Sequence, residues 1–336
     1  FSTRTTPSQR SRAYGGIATD LNHDRFPDIT ITNEITADLR VFMSRADGTG
    51  RYEDFAQPTY PVGFGASPSE PSDFDRDGNV DICVANPNDD SVSILLGNGD
   101  GTFAGQQLIA VDIQPRGIAV LDVDGDGDVD IVNSNRFGDN LSLLLNDGTG
   151  VFGSPTFFEG GGAEEVGLAA GDMNEDGILD LVVGAESSEL ITVNLGNGDG
   201  TFTALTPRDC GGKVWMLVLG DVNGDSHLDV AAANGVTSNG AIMFGDGTGQ
   251  LTAPQIYSTD VHTLASDLGD MDGDGDLDWV TSSFNGDWRL FTNDGSGTFS
   301  VDQEFPSTVA ASCSLMVDID YDGDLDLALI DESEDE

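Results

Sequence analysis

Basic residues are scarce in this 336-residue chain: 13 Lys and Arg stand against 60 Asp and Glu, for a formal net charge of -47 at pH 7. Such a surface repels nucleic acid and anionic membranes, which excludes non-specific attraction to either. Cysteine is scarce too, and Cys83, Cys210 and Cys313 allow at most one bridge, so no disulfide framework holds the fold. No apolar run approaches the length that spans a bilayer. No signal peptide is visible and the chain opens at Phe1 rather than Met, so a processed or excised segment is expected. Catalytic signatures are missing as well: there is no nucleophile elbow, zinc spacing or phosphate loop, and 44 glycines produce Gly-x-Gly matches by chance. Of the three histidines, His23 and His227 lie inside acidic loops and only His262 stands apart. Helix-period patterning is lacking, while 38% hydrophobic content in regular short stretches excludes a disordered chain.

What is present is a repeat. Asp-x-Asp/Asn-x-Asp-x-x-x-Asp begins at Asp20, Asp73, Asp122, Asp172, Asp221, Asp270 and Asp318, at intervals of 48 to 53 residues. Positions 1, 3, 5, 7 and 9 of the first copy are Asp20, Asn22, Asp24, Phe26 and Asp28. The next two copies read Asp73, Asp75, Asp77, Asn79, Asp81 and Asp122, Asp124, Asp126, Asp128, Asp130. Then follow Asp172, Asn174, Asp176, Ile178, Asp180 and Asp221, Asn223, Asp225, His227, Asp229. The last two are Asp270, Asp272, Asp274, Asp276, Asp278 and Asp318, Asp320, Asp322, Asp324, Asp326. Alternate carboxylates converging on one point, with the position 7 carbonyl, suit a hard cation with six to eight oxygen ligands, and calcium fits best. Acidic Gly-rich stretches also occur as plain solvated turns, but seven copies in phase argue for metal. An EF-hand is excluded, because no Glu stands at position 12 and the flanks are of strand length.

Up to seven calcium ions are thus expected, and even these would bring -47 only to -33. Clustered carboxylates repel without metal, so binding and folding should be linked. Loops of this kind suit the calcium level outside cells, which points to an extracellular or cell-surface protein. Five loops carry Gly at position 6, but the first has Arg25 and the fifth Ser226, where a left-handed backbone costs more. Those two sites are expected to be weak or empty.

Within the third repeat, Gly117 to Val123, Asp130 to Asn135, Leu141 to Asn146 and Val151 to Phe158 read as four short strands. The third turn is stereotyped, as in Asn98-Gly99-Asp100-Gly101-Thr102-Phe103 and Asn197-Gly198-Asp199-Gly200-Thr201-Phe202, and such pairs favour tight hairpins. Loop, following strand and turn together resemble the FG-GAP/VCBS repeat family, which includes the integrin alpha-chain propeller. The literal Phe-Gly element is weak, with Phe64-Gly65-Ala66-Ser67-Pro68 the nearest case, which places the chain on the VCBS side. The resemblance implies a β-propeller with calcium in the loops between first and second strands, and seven loops at a four-strand period lead to the expectation of an all-β, seven-bladed propeller of four-stranded antiparallel blades over residues 1–336. Phe1 lies 19 residues before Asp20, the same spacing as Phe103, Phe202 and Phe299 to their next loops. Residues 1–10 are therefore expected to close the last blade, made otherwise from residues 313–330, which would remove an exposed edge.

The face opposite the loops is expected to carry the ligand. Arg116, Arg136, Phe137, Lys213, Trp215, Phe284 and Trp288 fall there, in an otherwise acidic chain. Arginine forks match carboxylate or sulfate, and aromatic rings cover sugar faces or anchor interfaces. Alternatively Trp215 and Tyr14 plug the central channel, and the arginines pair with Glu164, Glu165, Asp139 or Asp209. The expected function is a calcium-stabilised extracellular module for adhesion or for recognising a glycan or protein ligand. Other readings are a structural surface or matrix component and a calcium-dependent polysaccharide lyase.

Overall fold

Runs of β-branched and small apolar residues between Gly, Asn and Asp turns favour short strands. In the computed structural model, which describes residues 12–53, 59–307 and 310–332, every helix or strand element is a strand. The first blade is Ala13–Thr19, Asp28–Asn33, Asp38–Phe42 and Thr59–Pro61, and the second Ser69–Ser72, Asp81–Asn86, Ser91–Leu95 and Gln107–Ala110. The third is Pro115–Leu121, Asp130–Asn135, Asn140–Leu144 and Thr156–Phe158; the fourth is Glu165–Gly171, Asp180–Ala185, Leu190–Gly196 and Phe202–Ala204, with Arg208–Asp209 added beside its third strand. The fifth is Val214–Gly220, Asp229–Asn234, Asn239–Met243 and Gln255–Ser258, and the sixth Thr263–Gly269, Asp278–Ser283, Trp288–Asn293 and Phe299–Phe305. Each blade pairs its strands antiparallel in chain order.

The protein is a β-propeller of six such blades, not the seven expected. The seventh repeat supplies two strands, Ala311–Val317 and Asp326–Asp331, and no third strand pairs with them among the described residues. This two-stranded sheet packs its inner strand against the inner strands of the sixth and first blades. Ser312 Oγ also donates to the Ala13 carbonyl at 3.1 Å. The closing strand expected from residues 1–10 lies outside the described residues.

First strands line the channel, and second strands form the middle layer. In blades two to six all six residues of each second strand are buried. A strand covered on both faces by neighbouring blades reads as continuously apolar and small rather than alternating. The outer strands Gln107–Ala110 and Gln255–Ser258 alternate between half-buried and exposed. The cores lie between blades: Leu39 and Val41 pack with Ile82 and Val84, while Trp279 and Phe291 pack with Ala231 and Ile242.

One side chain ties each blade together. The Asp at loop position 9 opens the second strand, is buried in all six blades, and accepts two backbone N–H bonds. Asp130 takes one from Val123 at 3.1 Å and one from Asn146, past the end of the third strand, at 2.8 Å. Asp28, Asp81, Asp180, Asp229 and Asp278 repeat both bonds at 2.7 to 3.0 Å. Asp326 shows what the third strand contributes. It is exposed, and among the described residues only the loop bond from Ile319, at 3.2 Å, remains.

Asp130→Ala strands two buried donors and is expected to destabilise the chain by about 2–4 kcal/mol, against about 1 kcal/mol or less for Asp326→Ala. Urea unfolding of the two variants measures the difference, and equal losses would refute the role given to the second bond.

Candidate metal centres and the opposite channel mouth

Each acidic loop joins a first strand to a second and is wound around its position 1 carboxylate. The N–H of position 6 donates to that carboxylate at 2.7 to 3.0 Å in all seven loops. The N–H of position 7 donates to the position 5 carboxylate at 2.8 to 3.0 Å. Positions 4 and 6 are both left-handed, as at Gly125 (φ 77°) and Gly127 (φ 87°). Arg25 and Ser226 adopt the same conformation at φ 80° and 72°, so both loops keep the shared geometry despite the cost to a residue with a Cβ.

Positions 1, 3 and 9 converge. Asp73, Asp75 and Asp81 bring one carboxylate oxygen each within 4.8 Å of one another, and so do Asp122, Asp124 and Asp130, Asp270, Asp272 and Asp278, and Asp318, Asp320 and Asp326. Position 5 is not a member of these triads and is engaged by its own loop. In the loops at Asp20, Asp172 and Asp221 an Asn replaces the position 3 acid. A hard cation fits the triads: three like charges crowd together, and buried Asp320 Oδ1 has no hydrogen-bond partner. Burial pushes Asp28, Asp81, Asp130 and Asp229 up to about 6, and nearby loop carboxylates push the same way.

Neighbouring loops are also joined. The position 2 carbonyls of Leu21, Val123 and Met173 accept N–H bonds from Gly101, Gly200 and Gly249 in the next blade's stereotyped turn. Asn146 and Asn293 reach Phe74 and Val222 with their side-chain amides at 2.8 and 2.7 Å. A second link runs from position 4 of one loop to position 7 of the next. His23 bonds Asn79 at 3.0 Å, Arg76 pairs with Asp128 at 2.5 Å, Glu175 pairs with His227, and Tyr321 packs on Phe26 at 5.6 Å between ring centroids. Where position 4 is Gly125, Gly224 or Gly273 there is no side chain to make it.

The opposite face is shaped by β-bulges. Register slips where the inner strands begin, between Ala13 and Gly15, between Pro115 and Ile118, and between Val214 and Met216. Bulges re-aim side chains, and here they turn Tyr14, Arg116 and Trp215 to the channel mouth. Trp215 Nε1 donates to Tyr14 Oη at 3.0 Å. The Arg116 guanidinium lies 5.4 Å from the Trp215 ring centroid and 6.0 Å from that of Tyr14. Arg136 lies 5.3 Å from Trp215 and 4.8 Å from exposed Phe137, and it pairs with Glu186 at 2.5 Å and Glu164 at 3.6 Å. Tyr14 and Trp215 thus meet at the channel mouth, and one of the acid pairings expected as an alternative, Arg136 with Glu164, is present. Lys213 and Phe284 sit half-buried on the same face, outside this cluster. Trp288 is only 5% exposed and donates to the Cys313 carbonyl at 2.9 Å, wedged against the seventh sheet rather than offered to a ligand.

The FG-GAP-like repeat family matches at residues 73–133, 172–232, 221–281 and 270–329, more than half of the chain. The chain belongs to this family of repeats. No curated protein matches it. Among solved structures it is similar to an Agrocybe aegerita lectin described by its recognition of non-reducing terminal N-acetylglucosamine (17% identity, TM-score 0.63, covering 97% of this chain and 87% of that one). It is also similar to a Bacteroides uniformis protein provisionally described as a 6-phosphogluconolactonase (12% identity, TM-score 0.67, 98% and 90% covered). At these identities the likeness shows the fold alone.

Two outcomes follow from the loops. A double-mutant cycle on Arg76→Ala and Asp128→Ala in chemical unfolding is expected to give a coupling of about 0.5–1 kcal/mol, as for exposed pairs, and additivity would deny the link. The buried position 9 acids bind their proton more tightly folded than unfolded. Their contribution to stability is therefore complete below about 4 and is lost as pH rises through about 6. The chelated chain should thus melt at a higher temperature at pH 5 than at pH 7, and a fall on acidification over that range would contradict the burial.

Proposed function

We propose that the chain is a calcium-stabilised extracellular interaction module, one domain across residues 1–336, that recognises a glycan or protein ligand through the face opposite its acidic loops. The observation that carries this reading is the Tyr14, Arg116, Trp215, Arg136 and Phe137 cluster at the channel mouth of a chain with net charge -47. Guanidinium groups against half-buried Tyr14 and Trp215 and exposed Phe137 suit recognition, because the rings supply rigid apolar area and the forks supply directed hydrogen bonds.

Calcium is assigned a structural role. The carboxylates of positions 1, 3 and 9 would hold it, with position 5 and the position 7 carbonyl completing an oxygen shell, and Asn22, Asn174 and Asn223 would replace one carboxylate with an amide oxygen. Bound there, the ion supplies positive charge that neutralises the triad. The chain itself fixes the site: position 1 winds the loop, position 9 ties it to the blade, and the links between loops align neighbours. Loops of this kind suit the calcium levels outside cells, which is what favours the extracellular assignment.

Thermal unfolding in calcium and in chelator, followed by a glycan array on the calcium-loaded chain, tests both halves. Each site filled to 100 times its Kd adds about 2.7 kcal/mol, so several sites should raise Tm by more than about 10 °C. An unchanged Tm would remove calcium from the account. A selective glycan signal lost on substitution of Trp215 would support the face, and a signal independent of it would place recognition elsewhere.

A further inference from the structure

Arg116 differs from every other arginine at the mouth. Arg12 pairs with Glu34 and Glu332, and Arg136 with Glu186 and Glu164. Arg116 makes no ion pair among the described residues. Its one side-chain hydrogen bond among the described residues runs from Nη1 to Ser67 Oγ at 3.3 Å, and its Nε, like that of Arg136, is buried without a hydrogen-bond partner. A guanidinium with unspent donors, held between two aromatic rings, is a preorganised site for a planar anion.

Directly beneath it the channel opens into a cavity of about 210 Å³, lined by Arg116, Tyr14 and Trp215 and, deeper, by Ile118, Leu168 and Leu217. Apolar cavities of about 150 Å³ admit a benzene-sized molecule. Glu70 and Asp267 also line it, and burial pushes Glu70 up to about 7 and raises Asp267 as well, so a second negative charge deep in the channel would meet acidic groups instead of a cation. The charge of an occupant therefore belongs at the mouth and its uncharged body inside.

We propose that the channel mouth binds a small organic monocarboxylate, with the carboxylate on the Arg116 fork and a compact apolar body in the cavity behind Trp215 and Tyr14. This rests on the reading of that face as the binding face and narrows it to one chemistry. In the free chain the stacked rings keep Arg116 in place without satisfying its donors. Binding then gives the guanidinium its missing acceptors and fills apolar space in one step.

Benzoate and hexanoate are the probes, with benzyl alcohol and hexanol as neutral counterparts, titrated into the calcium-loaded chain by calorimetry and by Trp fluorescence. Trp215 is the tryptophan at the mouth, since Trp279 and Trp288 are buried at 0% and 5% exposure. The carboxylates should bind saturably and at least ten times more tightly than the alcohols. Arg116→Gln should abolish that preference, while Arg208→Gln, at an exposed arginine on the fourth blade, should leave it unchanged. Equal binding of acid and alcohol by the wild-type chain overturns the proposal without any variant, so misfolding of Arg116→Gln cannot shelter it. No binding of either probe overturns it as well. If the glycan or protein reading holds while these probes fail, only the carboxylate assignment falls; if Trp215 substitution also leaves macromolecular binding intact, both fall.

Discussion

The propeller depends on carboxylates placed where carboxylates are costly. Each of the six complete blades buries the Asp at loop position 9, between the acidic loop and the end of the third strand, and each takes two backbone N–H bonds there. Desolvation raises the energy of the ionised form, and the two donors offset part of that. In the second, third and sixth blades the position 1 and 3 carboxylates crowd the same point, where a proton or a cation would relieve the repulsion. A cation held there would be linked to the fold through that one buried side chain, which recurs in each of the six complete blades.

From that constraint the two faces acquire different work. The inner strands end in loops wound so tightly by their own carboxylates that their variable positions face neighbouring loops. Position 4 reaches position 7 of the next loop as an ion pair, a hydrogen bond or a tilted contact of two rings, according to which residues stand there. The beginnings of the same strands carry bulges in place of loops. There Tyr14, Arg116 and Trp215 converge from three different blades, which no single repeat could achieve.

Much of this was legible in the sequence because it repeats. Seven spaced Asp motifs gave the loops, and the strand expected at Asp130 to Asn135 is the strand observed. The all-β propeller followed from loop, strand and turn together. Blade number did not, because counting loops assumes that every loop comes with four strands, one before it and three after, whereas the seventh has one before and one after among the described residues. Trp288 looked like a face residue because it lies just past a second strand, yet in the sixth blade it opens the third strand and its ring meets the seventh sheet. The bulges left no mark, since one extra residue in an inner strand does not alter the spacing of the acids. Contacts such as Glu175 with His227, 52 residues apart, become readable only once position 4 is known to face position 7 of the next loop.

Hydrogen exchange at the backbone amides held by the position 9 carboxylates tests the central claim most directly. Gly97, Asn146, Gly196, Gly245 and Asn293 donate these bonds from the last residue of a third strand or just past it. The account predicts that calcium slows their exchange together, well beyond any change in the outer strands. Exchange at these five amides that is the same in calcium and in chelator would show that the ion and the buried carboxylates are not linked.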